Sequence, residues 1–190
     1  MLIRDDFTGL GTSSFLQTRI PWSKKSGAIV GASPGGRVRP AGVTDSVYSY
    51  DGASFDGNQY AECVVSWVGG GSGQIGPAVR LSASGSGYGA LVNEVGGVLV
   101  GFFSNGSLFG SNGSGTVSSG DLIRLSVIGN TFRLYANGIE VFNFNDSALP
   151  PFGKTGLAAS GDSVTLFADD WSSYSSEDPS TIMRGGDLYL

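Results

Sequence analysis

The feature that most constrains the fold is the segment of residues 121–146, in which apolar and polar residues alternate through three short runs. The pairs Gly129-Asn130 and Asn137-Gly138 separate these runs, and such pairs are typical of two-residue hairpin turns. Alternation with a period of two places every second side chain on the same face of a strand. The segment therefore predicts a three-stranded antiparallel meander.

The two turns also predict how the strands of this meander pair. The first turn places Leu125 opposite Leu134, and the second turn places Leu134 opposite Val141. The same register places Ala136 opposite Ile139, so this face is wholly apolar and should pack onto a core. The other face carries polar and aromatic side chains.

Several other strand-length runs are rich in Val, Leu and aromatic residues, and clusters of Gly or Ser bound each of them. Gly accounts for 32 of the 190 residues and charged residues for 14%, which suits many tight turns. No window longer than a turn or two has helical spacing. The clearest runs are residues 59–68, 78–83, 88–94, 98–103, 155–159 and 163–169, and weaker ones are residues 15–19, 28–31 and 46–50.

About a dozen short strands need either a barrel or two stacked sheets to protect their edges. The length and turn spacing favour an all-β, two-sheet antiparallel jelly-roll sandwich that occupies residues 1–171 as one domain. Asp5-Asp6 near the start and Asp169-Asp170 near the end predict neighbouring terminal strands. Residues 172–190 are polar until their apolar end, and we expect them to form an extended C-terminal arm.

Composition argues against several classes of function. The net charge of −5 disfavours nucleic acid as a partner, since binding phosphates requires clustered Lys and Arg. No apolar stretch approaches the roughly 20 residues of a membrane helix. Cys63, the only cysteine, lies in an apolar run and is expected to be a buried thiol. The chain contains no His, so neither a serine–histidine pair nor His-based metal ligation is available.

Two short motifs match known catalytic or cofactor patterns by spacing alone. The segment of residues 31–35 fits the G-x-S-x-G nucleophile pattern, but Pro34 follows the serine where a helix should begin. The segment of residues 71–76 fits the dinucleotide-binding pattern, but Pro77 and a strand follow it instead of a helix. We interpret both segments as loops.

Acidic residues can act as catalytic pairs or as metal ligands. Glu occurs only at positions 62, 94, 140 and 177, and none has another acid two or four residues away on the same strand. A glycoside hydrolase, which needs two converging carboxylates, is therefore disfavoured, and no catalytic residue is assigned. Asp6 and Asp170, with backbone carbonyls, could instead form a structural calcium site. Capping of the terminal strands is the alternative role of these two acids.

Seven short segments occur in an order that is familiar from a known superfamily: residues 5–7, 59–65, 76–81, 87–91, 120–125, 134–138 and 169–171. Over about residues 5–171 this order resembles the concanavalin A-like lectin/glucanase superfamily. Within it the chain is most similar to the Gly-rich minor tail proteins of bacteriophages that infect actinobacteria, and it lacks the Glu-x-Asp-x-x-Glu motif of the hydrolase branch.

The resemblance implies a non-enzymatic virion protein, at the tail tip or on the particle surface, that is synthesised in the bacterial cytoplasm. Its partners would be other virion subunits, including copies of itself, and cell-wall glycan. A free carbohydrate-binding lectin and a degenerate glycoside hydrolase remain alternatives. If sugar is bound, the candidate residues are Arg80, Tyr88, Arg124 and Tyr135, with ordinary cross-strand surface pairing as the alternative role.

Overall fold

The computed structural model describes residues 2–32, 35–148 and 151–175, which form fifteen β-strands and a short 3-10 turn at Leu16–Thr18. No helix among these residues is long and apolar enough to cross a membrane. The strands are β1 (Leu2–Asp5), β2 (Trp22–Ser26), β3 (Ile29–Ala32), β4 (Arg37–Pro40), β5 (Ser46–Tyr50), β6 (Gln59–Trp67), β7 (Gln74–Leu81), β8 (Gly87–Asn93), β9 (Gly97–Ser104), β10 (Ser107–Thr116), β11 (Asp121–Ile128), β12 (Thr131–Ala136), β13 (Ile139–Asn145), β14 (Lys154–Ser160) and β15 (Leu166–Ser175).

The strands form two antiparallel sheets that stack as a sandwich, as predicted. The first sheet has the order β13-β12-β11-β6-β15-β4-β3, and β1 also pairs with β15. The second sheet has the order β10-β9-β8-β7-β14-β5-β2. The expected pairing of the terminal strands is confirmed, because Asp5 of β1 lies opposite Trp171 of β15.

The meander is present as β11, β12 and β13, with one difference in its register. Leu125 lies opposite Leu134 and Ala136 lies opposite Ile139, as predicted. Leu134, however, lies opposite Phe142 and not Val141, because a bulge shifts the pairing of β12 with β13. Ile139 is 74% exposed, so the hairpin tip extends beyond the core and this face is not buried along its whole length.

The main core lies between the two sheets and contains a cluster of aromatic rings. The ring of Trp171 packs 4.8 Å from that of Trp22 and 5.2 Å from that of Tyr50, measured between centroids. The indole N–H of Trp171 donates to the carbonyl of Gly156 in β14 over 2.9 Å, which ties the first sheet to the second. Cys63 is fully buried here, and burial raises the pKa of its thiol, as expected for an unreactive cysteine.

The second sheet also buries apolar residues on its outer face, where they alternate with residues of the main core. The hairpin between β9 and β10 folds across this face, and Leu108 packs against the buried cluster. The N–H of Leu108 donates to the carboxylate of Asp45 over 2.6 Å, and the hydroxyl of Ser26 donates to the carbonyl of Gly106 over 2.8 Å. The cluster consists of Val47, Ala78, Leu81, Leu91, Phe103 and Ala158.

The last strand extends beyond the predicted end of the sandwich at Trp171. β15 continues to Ser175, where residues 172–174 pair with both β1 and β6 and Ser175 pairs with β6. This part of the predicted arm therefore belongs to the first sheet. Residues 176–190 lie outside the described residues, so the arm itself remains a prediction.

Candidate functional site

A row of polar side chains crosses the outer face of the first sheet. The registers place Arg4, Ser172, Glu62 and Arg124 next to one another on β1, β15, β6 and β11. On β6, β11 and β15 these side chains point outward because their neighbours along the strand, such as Ile123 and Leu125, are fully buried in the core. The row continues to Tyr135 of β12 and Glu140 of β13.

Two contacts hold Glu62 in this row. The guanidinium of Arg124 forms an ion pair with Glu62 Oε2, with its Nη2 atom at 2.6 Å and its Nε atom at 2.7 Å. The hydroxyl of Ser172 donates to Glu62 Oε1 over 2.7 Å. Glu62 thus joins β11, β6 and β15 across the sheet, and its carboxylate has a fixed orientation.

A cleft of about 510 Å³ opens beside this row, where β1 meets β15, and we call it the outer-face cleft. Four carboxylates and two arginines surround a floor of Val64 and Leu122, both of which are half-buried. Apolar floors with a few convergent polar groups are typical of small-molecule sites. The cleft is lined by Arg4, Asp5, Asp6, Arg19, Glu62, Val64, Leu122, Asp170, Trp171 and Ser172.

The wall of the cleft that follows β1 is held by Asp5. Its carboxylate accepts the indole N–H of Trp22 over 2.7 Å and the backbone N–H of Phe7 over 2.8 Å. Arg19 adds an ion pair at 2.7 Å. Because these partners come from three places in the chain, Asp5 fixes the loop that carries Asp6, one of the two exposed acids of the cleft.

The two acids predicted as calcium ligands, Asp6 and Asp170, do lie together in the cleft, and both are exposed. The backbone N–H of Thr8 donates to Asp6 over 2.9 Å and lowers the pKa of that carboxyl. Asp170 sits at a bulge of β15 with φ of 48°, a left-handed conformation that costs energy in residues other than Gly.

No group of three or more His, Cys, Asp or Glu side chains in the described part of the chain is placed to hold a metal ion. A calcium ion takes six to eight oxygen ligands, roughly, and two carboxylates supply few of them. Asp6 and Asp170 would therefore need further oxygen ligands, such as the backbone carbonyls of the predicted site. Calcium binding by Asp6 and Asp170 remains a prediction.

Aromatic residues lie next to the cleft on the same outer face. The rings of Tyr60 and Tyr174 are stacked with their centroids 5.8 Å apart. The guanidinium of Arg124 lies 4.6 Å from the centroid of Tyr60, a cation–π contact. Burial raises the pKa of Tyr60, so the ring remains a neutral phenol.

The four residues predicted to bind sugar are not brought together. Arg124 and Tyr135 lie opposite each other on the outer face, as predicted, and Arg124 pairs with Glu62 at the cleft. Arg80 and Tyr88 belong to the second sheet and are only 2% and 0% exposed. The prediction that these two contact sugar on the surface is therefore wrong, because Tyr88 packs 4.2 Å from Phe132 inside the sandwich.

The other sequence motifs are also placed by the structure. In the dinucleotide-like segment of residues 71–76, the last three residues begin β7, so the segment is a loop that enters a strand, as predicted. The nucleophile-like segment of residues 31–35 includes Ser33 and Pro34, which lie outside the described residues.

Glu94 is buried, and its carboxylate accepts hydrogen bonds from Gly71 at 2.7 Å, from Thr165 at 2.7 Å and from Ser163. Glu94 therefore joins three loops at one end of the sandwich, away from the cleft.

The comparisons with known proteins identify the fold and no family. No family model matches the chain, and no curated protein matches its sequence. Solved structures match over most of the chain. The carbohydrate-binding module CBM66 from Bacillus subtilis is 18% identical, with a TM-score of 0.56 over 87% of this chain and 92% of that chain. The fold is a concanavalin A-like jelly roll.

Other matches to this jelly roll include both lectins and enzymes. The exoplasmic/lumenal domain of VIP36, in a form bound to Ca²⁺ and Man3GlcNAc, is 10% identical, with a TM-score of 0.57 over 86% of this chain and 89% of that chain. The β-glucanase of Bacillus licheniformis is 11% identical, with a TM-score of 0.53 over 93% of this chain and 98% of that chain. Identities this low establish the architecture and leave the ligand to the site itself.

Proposed function

We propose that this jelly roll is a non-catalytic carbohydrate-binding module whose site is the outer-face cleft. The observation that carries the proposal is the cleft itself, in which fixed carboxylates and arginines surround an apolar floor. A sugar ring offers hydroxyls that both donate and accept hydrogen bonds and C–H faces that pack on apolar side chains. Carboxylates accept from the hydroxyls and arginines donate to them, so both halves of a sugar surface have a partner in the cleft.

The side chains that would contact the sugar differ in whether they already have an ion-pair partner. Asp5 already forms an ion pair with Arg19, and Glu62 with Arg124. These two carboxylates therefore fix the positions of the side chains around the cleft. Arg4 is exposed and has no ion-pair partner within 4.0 Å among the residues that the structure describes. Arg4 is therefore the donor most available to a ligand.

The state of the carboxylates supports binding without hydrolysis. A glycosidase needs one acid that keeps its proton near neutral pH and a second carboxylate across the sugar. In the cleft, hydrogen bonds from Thr8 lower the pKa of Asp6, which favours its ionised form. Glu62 is held by Arg124 and Ser172, and Asp5 by Arg19 and Trp22. The bonds from Thr8 therefore favour a charged Asp6 over a proton donor, and the carboxylates of Glu62 and Asp5 are already occupied by their partners.

The proposal is tested by the affinity of the protein for a panel of cell-wall glycans and soluble polysaccharides. Arg4→Met should weaken binding by about tenfold or more, because a hydrogen bond to a charged group contributes about 1.5–3 kcal/mol. Lys24→Met is the matched control, since Lys24 is exposed on β2 of the other sheet. An equal loss of affinity in both variants, or no binding of any glycan by the wild type, would contradict the proposed site.

One observation favours a second candidate, a glycoside hydrolase. Burial and the neighbouring carboxylates of Asp170 and Asp6 raise the pKa of Asp169, as a general acid requires. Asp169 does not line the cleft, however, and its side chain accepts the backbone N–H of Asp170 over 2.8 Å. In the same glycan samples we expect no release of reducing sugar. Release that Asp169→Asn abolishes would favour the hydrolase instead.

From the resemblance to minor tail proteins we also propose that this module is located on a phage virion. A carbohydrate-binding module on a phage virion would contact the glycan of the host surface, and its protein partners would be other virion subunits or copies of itself. We expect mass spectrometry of purified phage particles to recover peptides of this chain in a constant ratio to a tail subunit. Recovery only from the soluble fraction of the lysate would contradict this location.

A further inference from the structure

The side chain of Arg80 is buried between the sheets at one end of the sandwich and is only 2% exposed. Its Nη2 atom donates to the carbonyl of Gly57 over 3.1 Å and to the carbonyl of Gly129. Gly57 precedes β6, and Gly129 lies in the turn between β11 and β12. Arg80 thus links a loop and a turn of the first sheet to β7 of the second.

The remaining donors of this guanidinium lack partners. The Nε and Nη1 atoms of Arg80 are buried, and no acceptor in the described part of the chain reaches them. No carboxylate within residues 2–32, 35–148 or 151–175 lies within 4.0 Å of Arg80. Burial lowers the pKa of Arg80, but a guanidinium keeps its proton at any pH at which the protein folds. A positive charge is therefore enclosed without a counter-charge.

The neighbouring aromatic side chains compensate this charge only in part. Arg80 Cζ lies 5.4 Å from the centroid of Phe132, and a cation–π contact is weak compared with the cost of removing an ion from water. Tyr88 supplies no negative charge, because burial and the nearby carboxylate of Asp146 raise its pKa and keep it protonated.

We propose that a small monovalent inorganic anion, of the chloride class, binds at the unpartnered N–H groups of Arg80. Such an ion supplies both the missing acceptor and the missing charge, whereas a water molecule supplies only the acceptor. The bound anion would stabilise the junction of Gly57, Gly129 and Arg80. This site lies between the sheets and is separate from the outer-face cleft, so it does not depend on the glycan-binding proposal.

The direct test uses bromide, which replaces chloride and scatters X-rays anomalously. In crystals of the full chain grown in sodium bromide, we expect an anomalous peak within hydrogen-bond distance of Arg80 Nε or Nη1. Density for water there, without an anomalous peak, would overturn the proposal. This measurement needs no variant and so does not depend on whether an altered protein folds.

A second test measures the melting temperature while chloride replaces gluconate at constant ionic strength. An anion that binds only the folded protein should raise the melting temperature of the wild type by about 3 °C or more at saturation. Arg80→Met, which keeps most of the apolar part of the side chain and removes its charge, should abolish this chloride dependence. Lys24→Met, which alters an exposed side chain of β2, should retain it. Equal chloride dependence in the wild type and Arg80→Met, or none in the wild type, would overturn the proposal.

Discussion

Replacing Asp5 with alanine is expected to lower the free energy of unfolding by about 2–4 kcal/mol, because it leaves a buried donor without an acceptor and breaks a partly buried ion pair. The side chain of Asp5 is only 6% exposed and accepts hydrogen bonds from Arg19, Trp22 and Phe7. Its loss would leave the indole N–H of Trp22 buried without an acceptor and Arg19 without its closest counter-charge. Chemical denaturation monitored by tryptophan fluorescence measures the difference.

The neighbouring acid is the matched control. The side chain of Asp6 is 64% exposed, and its contact with Arg19 is a long 3.9 Å. Asp6→Ala should therefore leave the unfolding free energy nearly unchanged. If Asp6→Ala destabilises the protein as much as Asp5→Ala, then Asp5 does not anchor the loop at the cleft as described. Because Asp5 positions the cleft wall, we also expect weaker glycan binding in any Asp5 variant that remains folded.

Truncation of Leu134 to alanine should destabilise the protein by about 2–5 kcal/mol, the usual range for a leucine buried in a core. Leu134 is fully buried in the middle of the meander, where it lies opposite Leu125. The truncation would remove apolar contacts on the core side of the first sheet and leave a cavity that the close-packed sandwich can refill only in part.

Ile139 provides the comparison for this truncation, since it is a branched aliphatic residue in the same meander. It is 74% exposed, so Ile139→Ala should change the unfolding free energy by no more than about 0.5 kcal/mol. Urea titrations of the two variants decide the outcome. Similar midpoints for both would show that the register of the meander, or its packing onto the core, is incorrect.

The meander and the sandwich could be predicted because their signals are local. Alternation along residues 121–146 and the two hairpin turns determine which side chains share a face. The pairing of β11 with β12 followed from those signals without any tertiary information. The bulge at Val141 did not, because a bulge depends on how β13 packs against the rest of the sandwich.

The candidate site could be predicted only in part. Asp6 and Asp170 were identified because Asp-rich segments at the two ends of the chain predicted adjacent strands, and β1 does pair with β15. Glu62 and Arg4 were not identified as site residues. Glu62 is isolated from other acids along its strand, and its partners Arg124 and Ser172 are 62 and 110 residues away in the sequence.

The sequence by itself determined the class of the fold, the meander and the meeting of the chain's two ends, because period-two patterning and turn residues act over a few neighbouring positions. Only the tertiary structure decided which outer face is open to a ligand. Both faces of β7 and β8 carry apolar residues, so alternation could not show that Arg80 and Tyr88 are buried. The outer-face cleft likewise depends on strands that are distant in the sequence and become neighbours only when the sheets assemble.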